Sequence, residues 1–177
     1  MYDVWRKNVS ATGGGTEPEQ LQVGLVPGEY FRVLGIEPLL GRVFKPEENQ
    51  WGNQFEAVIG YNFWQSRFRG DRNILGKTVR INDEPYTIIG VMPGEVPDWL
   101  ARTAHGNIEL WTPFVPYVNG NDSVWKESER ASRGWLAIAR LKTGVSLQQA
   151  SADLERVSNN LASQYPLDRH RRSLWWR

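Results

Sequence analysis

The sequence predicts an α+β fold, and three observations carry that prediction. Two short runs rich in β-branched residues, 78–81 and 86–91, lie on either side of the turn-forming stretch Asn82-Asp83-Glu84-Pro85, which is the pattern of a β-hairpin. Residues 9–12 and 20–26 flank Gly13-Gly14-Gly15 and read as a second hairpin on the same grounds. Near the C-terminus, apolar residues recur at steps of three and four from Leu147 to Tyr165, the periodicity of an amphipathic helix.

The elements follow in order. After Pro27, residues 28–34 predict a short helix with Tyr30, Phe31 and Leu34 on one side and Gly35 as its stop, packed against the first hairpin. Residues 57–59 form a short buried strand, and Tyr61, Trp64 and Phe68 then recur at helical spacing until Gly70. An aromatic stripe at that spacing is core. Residues 93–133 are dense in Pro, Gly, Asn and Trp and read as loop, apart from a strand at 108–112. Ser146 and Gln149 form a capping-box pattern ahead of Leu147, Ala150, Leu154, Val157 and Leu161, and Pro166 ends the helix. Gln148, Asp153, Arg156 and Asn160 fall on its polar face. This helix is therefore expected to cover one face of a sheet, with residues 135–142 supplying one strand and 174–176 another.

Composition excludes several functions. The chain has 177 residues, of which 40% are hydrophobic and 23% charged, an ordinary globular balance with enough chain for one good core or two small ones. Its 21 basic and 20 acidic residues give no global field to attract nucleic acid, and the basic cluster Arg169-His170-Arg171-Arg172 reads as a solvated end segment. There is no cysteine, so disulfides and thiolate chemistry are excluded while the compartment stays open. No stretch approaches the roughly 18 apolar residues of a membrane helix, and the first residues lack the apolar core of a signal peptide.

Chemical motifs are equally sparse. Gly76-Lys77-Thr78 invites a phosphate-loop reading, but the required preceding glycine position is Asp71, and the order is helix, loop, strand instead of strand, loop, helix. No helix N-terminus then faces a phosphate. His105 and His170 are too few for a zinc site without distant carboxylates, and Asn119, Asn121 and Asp122 lack the alternating ligands of a calcium loop. Glu47/Glu48 and Asp83/Glu84 lie in polar turns, and Glu95 and Asp98 beside Trp99 read as solvated. No catalytic, cofactor-binding or metal residues are assigned, so the chain does not read as an enzyme. Nine tryptophans are the remaining signal. Trp64 and Trp135 read as core, while Trp51, Trp99, Trp111 and Trp125 lie in or beside irregular stretches, as loop anchors or as hot spots of a binding surface. Trp99 and Trp125, among Asp98, Lys126 and Glu127, are the candidate partner-facing residues.

An ordered ladder of short signatures goes further. It runs from Gly28-Glu29-Tyr30-Phe31-Arg32-Val33-Leu34-Gly35 through Gly41-Arg42-Val43-Phe44, Ile74-Leu75-Gly76-Lys77 and Tyr86-Thr87-Ile88-Ile89-Gly90-Val91-Met92-Pro93 to Arg140-Leu141-Lys142-Thr143-Gly144-Val145-Ser146. In order and spacing the ladder resembles the extracytoplasmic core domain of MacB-type, FtsX-like ABC transporter permeases, over residues 20–166. The resemblance implies a two-lobed domain: residues 1–50 and 133–177 form a porter-like lobe with a mixed sheet, and residues 51–132 are inserted as a β-rich Sabre-like lobe. It further implies a non-catalytic domain on the periplasmic side of the membrane, excised from between transmembrane helices. Such a domain couples cytoplasmic ATP hydrolysis to export or to mechanical transmission. Its partners are then the flanking transmembrane helices, a cytoplasmic ATPase, a periplasmic adaptor protein and a second copy in a homodimeric permease. An aromatic-rich glycan-binding module is the alternative, resting on tryptophan content alone.

Overall fold

The computed structural model describes residues 3–11, 18–50, 52, 54–94, 102–103, 106–115 and 137–164. Local chemistry accounts for the elements. The first hairpin pairs β1 (Asp3–Ala11) with β2 (Glu19–Val26) in an antiparallel register running from Asp3↔Leu25 to Val9↔Glu19, so β1 begins well before the expected residue 9. Helix α1 (Tyr30–Leu34) ends where Gly35 turns left-handed at φ 70°. The Gly35 amide donates to the Arg32 carbonyl and the Ile36 amide to the Phe31 carbonyl, a Schellman cap that satisfies the last carbonyls.

Strand β3 (Leu40–Gly41) leads to a 3₁₀ turn over Pro46–Asn49, then to β4 (Glu56–Ile59) and α2 (Tyr61–Phe68). In α2 the buried pair is Phe63 and Trp64, with Phe68 partly buried, whereas Tyr61 is 36% exposed. The expected stripe was thus off by one side chain. Arg69, not Gly70, is the first residue to turn left-handed at the helix end.

The hairpin of β5 (Thr78–Ile81) and β6 (Glu84–Val91) turns on Asn82 and Asp83, at φ 48° and 67°. Two positive angles make the primed turn whose twist matches that of the strands, so Glu84 and Pro85 belong to β6 instead of to the turn. The Asn82 side chain accepts the Asn8 amide, and its own amide donates to the Asn8 carbonyl. This ties the turn to β1.

Strand β7 (Arg102–Thr103) pairs with β8 (Gly106–Pro113), which runs longer than the expected 108–112. Helix α3 (Leu147–Gln164) starts as predicted. The Gln149 amide donates to Ser146 Oγ while Gln149 Oε1 accepts the Ser146 amide.

The tertiary feature that local patterns do not announce is closure. β2 pairs with β1, β1 with β5, β5 with β6, β6 with β4, β4 with β8, and β8 returns in parallel to β2. These strands form a ring without a free edge. Each contributes to one cluster: Val9, Val23, Val79, Ile81, Ile88, Val91, Ala57, Ile59 and Leu110, joined by Phe63, Trp64 and Ile74. On β4, Val58 points the other way, as strand alternation requires. It meets a second cluster of Val26, Tyr30, Phe31, Phe44, Met92, Ile108 and Trp111, against which Ile138 also packs. Each fully buried large aliphatic or Phe side chain contributes roughly 1.5–3 kcal/mol.

Contacts divide the chain into two compact units. Met1–Val118 with Trp135–Ile138 form one, and Asn119–Gly134 with Ala139–Arg177 form the other. The ring takes β1 and β2 from before residue 50 and four strands from after it. Residues 137–142 are not a strand. Residues 174–176 lie outside the described residues. Among the described residues the apolar stripe of α3 is exposed, with Leu147 77% and Leu154 46% exposed. No described helix is long and apolar enough to cross a membrane.

Candidate functional site

The signature residues are spent on holding the fold. Gly28 lies where its backbone meets the strap of chain after β3: a Cβ placed on it would stand 2.2 Å from the Lys45 carbonyl oxygen and 2.7 Å from the Pro46 nitrogen. Its amide donates to Asn49 Oδ1 at 2.8 Å. Phe44 of the same strap is buried against Phe31, with ring centroids 6.0 Å apart.

Arg42 is the centre of a charged cluster that sequence reading missed. Its Nη1 donates to Glu48 Oε1 at 2.7 Å, and its Nη2 donates to both Glu56 oxygens at 2.8 and 3.0 Å. Glu48 Oε2 accepts the Lys45 amide at 2.9 Å. Glu48 is a buried charged residue, which corrects the reading of Glu47/Glu48 as a solvated pair. A buried carboxylate persists when it is paired and hydrogen-bonded, and Arg42 supplies both. Burial, followed by the neighbouring Glu48 charge, pushes the Glu56 carboxyl above its ordinary value, while Arg42 opposes the shift. The signal available in the sequence was Arg42 itself, an Arg six residues before a Glu and directly after the β3 glycine.

Gly76-Lys77-Thr78 is a turn. The Gly76 amide donates to the Ile88 carbonyl and the Lys77 amide to the Ile74 carbonyl, so these donors do not converge on an open cradle. The Lys77 ammonium pairs with Asp71, whose carboxyl is held below its usual range by that hydrogen bond first and by the Asn73 amide next. The isolated chain is expected to show no stabilisation by Mg-ATP. A bound ligand at a hundredfold excess over Kd raises stability by about 2.7 kcal/mol, so thermal melts with and without the nucleotide decide the point.

Among the described residues, no group of three or more His, Cys, Asp or Glu side chains is gathered as for a metal ion. Glu109 is pushed up by burial, against the nearby Arg67 charge. Three tryptophans can be placed. Trp64 is core, and its Nε1 donates to the Asp71 carbonyl at 2.9 Å. Trp111, expected beside a loop, is fully buried in β8, edge-on to Phe31 with centroids 5.5 Å apart. Trp5 is half-exposed under the Lys7 ammonium. Together they form no stacking platform. Trp51, Trp99, Trp125 and Trp135, together with Glu95, Asp98, His105, His170, Asn119, Asn121 and Asp122, lie outside the described residues.

Comparison with known proteins agrees with this scaffold. The macrolide export ATP-binding/permease protein MacB of Salmonella typhi is 29% identical over 134 residues, covering 75% of this chain and 19% of that protein. Its namesake in Neisseria gonorrhoeae is 29% identical over 94 residues, covering 51% of this chain and 13% of that protein. The chain thus spans about a fifth or less of these relatives. The crystal structure of the periplasmic region of MacB from Actinobacillus actinomycetemcomitans superposes with a TM-score of 0.59 at 17% identity, covering 92% of this chain and 66% of that one, which shows a shared fold. The family model for the MacB-like periplasmic core domain matches residues 3–157, from the first strand of the ring into α3, and the chain belongs to that family.

Proposed function

We propose that this chain is a non-catalytic extracytoplasmic domain of an ABC transporter permease, coupling ATP hydrolysis on the cytoplasmic side to export or to mechanical transmission. The observation that carries the reading is the family match over residues 3–157. It is supported by the signature residues, which serve a helix cap, close backbone contacts and ion pairs. In this reading the parent protein supplies flanking transmembrane helices and works with a cytoplasmic ATPase, a periplasmic adaptor and a second copy of itself. Trp99 and Trp125 serve as partner-facing anchors on the periplasmic side. In the same reading, residues 1–50 and 133–177 belong to a porter-like lobe and residues 51–132 to an inserted Sabre-like lobe. Replacing the domain by a flexible linker in the intact permease is expected to leave ATP hydrolysis measurable and to abolish transport or the transmitted output. Full output without the domain would refute the reading.

A further inference from the structure

The strap that follows β3 is fastened to the ring at one charged point. Arg42 at its start, Glu48 in its 3₁₀ turn and Glu56 on β4 meet on a single guanidinium. Lys45 contributes its amide to Glu48, Glu47 lies on the same turn, and Thr87, opposite Glu56 in the ladder to β6, is uncharged. One guanidinium balances one carboxylate, so two ionised carboxylates on Arg42 leave an excess negative charge at a half-buried point. We propose that a proton on Glu56 acts as a clasp: neutral Glu56 donates to the Glu48 carboxylate and accepts from Arg42, which leaves a balanced set and holds the strap closed on β4, whereas loss of that proton to solvent loosens it. Burial of Glu56 first, and the neighbouring Glu48 charge next, favour the protonated form. Because the folded-state pKa is raised, the clasp's contribution is fully present below the ordinary carboxylate value and is lost as pH rises through the raised one.

Amide hydrogen exchange on the full chain, corrected for intrinsic rates, tests the clasp from about pH 4 to about pH 7. The reporters are the Gly28, Lys45 and Glu48 amides, which close the strap on Asn49 Oδ1, Glu48 Oε2 and the Lys45 carbonyl. The Ile88 amide, bonded to the Lys77 carbonyl in the ring, is the control. Protection of the strap is expected to fall about fivefold or more with rising pH, with Ile88 unchanged, and Glu56→Gln is expected to keep the strap protected throughout. Strap protection independent of pH in the unmodified chain would overturn the proposal, as would a fall that persists in Glu56→Gln. Should that variant fold poorly, the carbon shift of the Glu56 carboxyl in the unmodified chain gives a second reading. A titration there that leaves the strap amides unmoved counts equally against the clasp.

Discussion

Trp111→Ala is expected to lower unfolding stability by about 3–5 kcal/mol, a large part of the 5–15 kcal/mol typical of a folded domain. Trp111 is 2% exposed and fills the layer outside the ring between Phe31 and β2. Gly24 leaves it room: a Cβ there would stand 2.6 Å from Trp111 Cδ1. Truncation opens a cavity that this glycine cannot fill. Among the described residues the indole Nε1 is buried without a hydrogen-bond partner, and a buried unmet donor costs about 1–3 kcal/mol. Trp111→Phe therefore removes area and an unmet donor together and should cost clearly less than alanine. Urea unfolding of both variants measures the two losses; a loss under about 1 kcal/mol for alanine would show that the indole is not packed as described.

Gly28→Ala should be the next most damaging change. Added Cβ atoms are tolerated when the opposing atom is the end of a mobile side chain, but here the Lys45 carbonyl oxygen, its carbon and the Pro46 nitrogen all lie within 2.7 Å. Backbone must move. The strap is displaced from α1, the Gly28 amide loses Asn49, and Phe44 is drawn out of its contact with Phe31. Overpacking of this kind costs about 1–3 kcal/mol, and the lost hydrogen bond adds about 1 kcal/mol. A melting temperature unchanged from the parent chain would contradict the geometry.

The parts of this fold that were legible in the sequence are those decided within a few residues. The Gly35 stop of α1, the β5–β6 hairpin and the Ser146–Gln149 capping box each satisfy their own backbone groups, so their chemistry is written locally. Ring closure is not local: it depends on β8 reaching both β4 and β2, from segments far apart in the chain. That is why Trp111, although inside the strand expected at 108–112, still read as a loop anchor or binding hot spot, since its burial is fixed by those pairings. Glu48 misled for the same reason, since a glutamate in a polar turn looks solvated until Arg42 is set beside it in space. Tyr61 and Phe63 exchanged places because a short helix against a curved surface buries whichever residues face it, and a three-and-four spacing does not fix that rotation.

The ring has a mechanical consequence. A strand at the border of an open sheet can be peeled away one hydrogen bond at a time, so such a sheet yields to a small tug at its margin. Here β2, reached from the N-terminal side through β1, is gripped by β1 on one flank and by β8 on the other. A tension entering along it must slide two rows of hydrogen bonds simultaneously. The strand therefore resists a pull along its length until both ladders give way together.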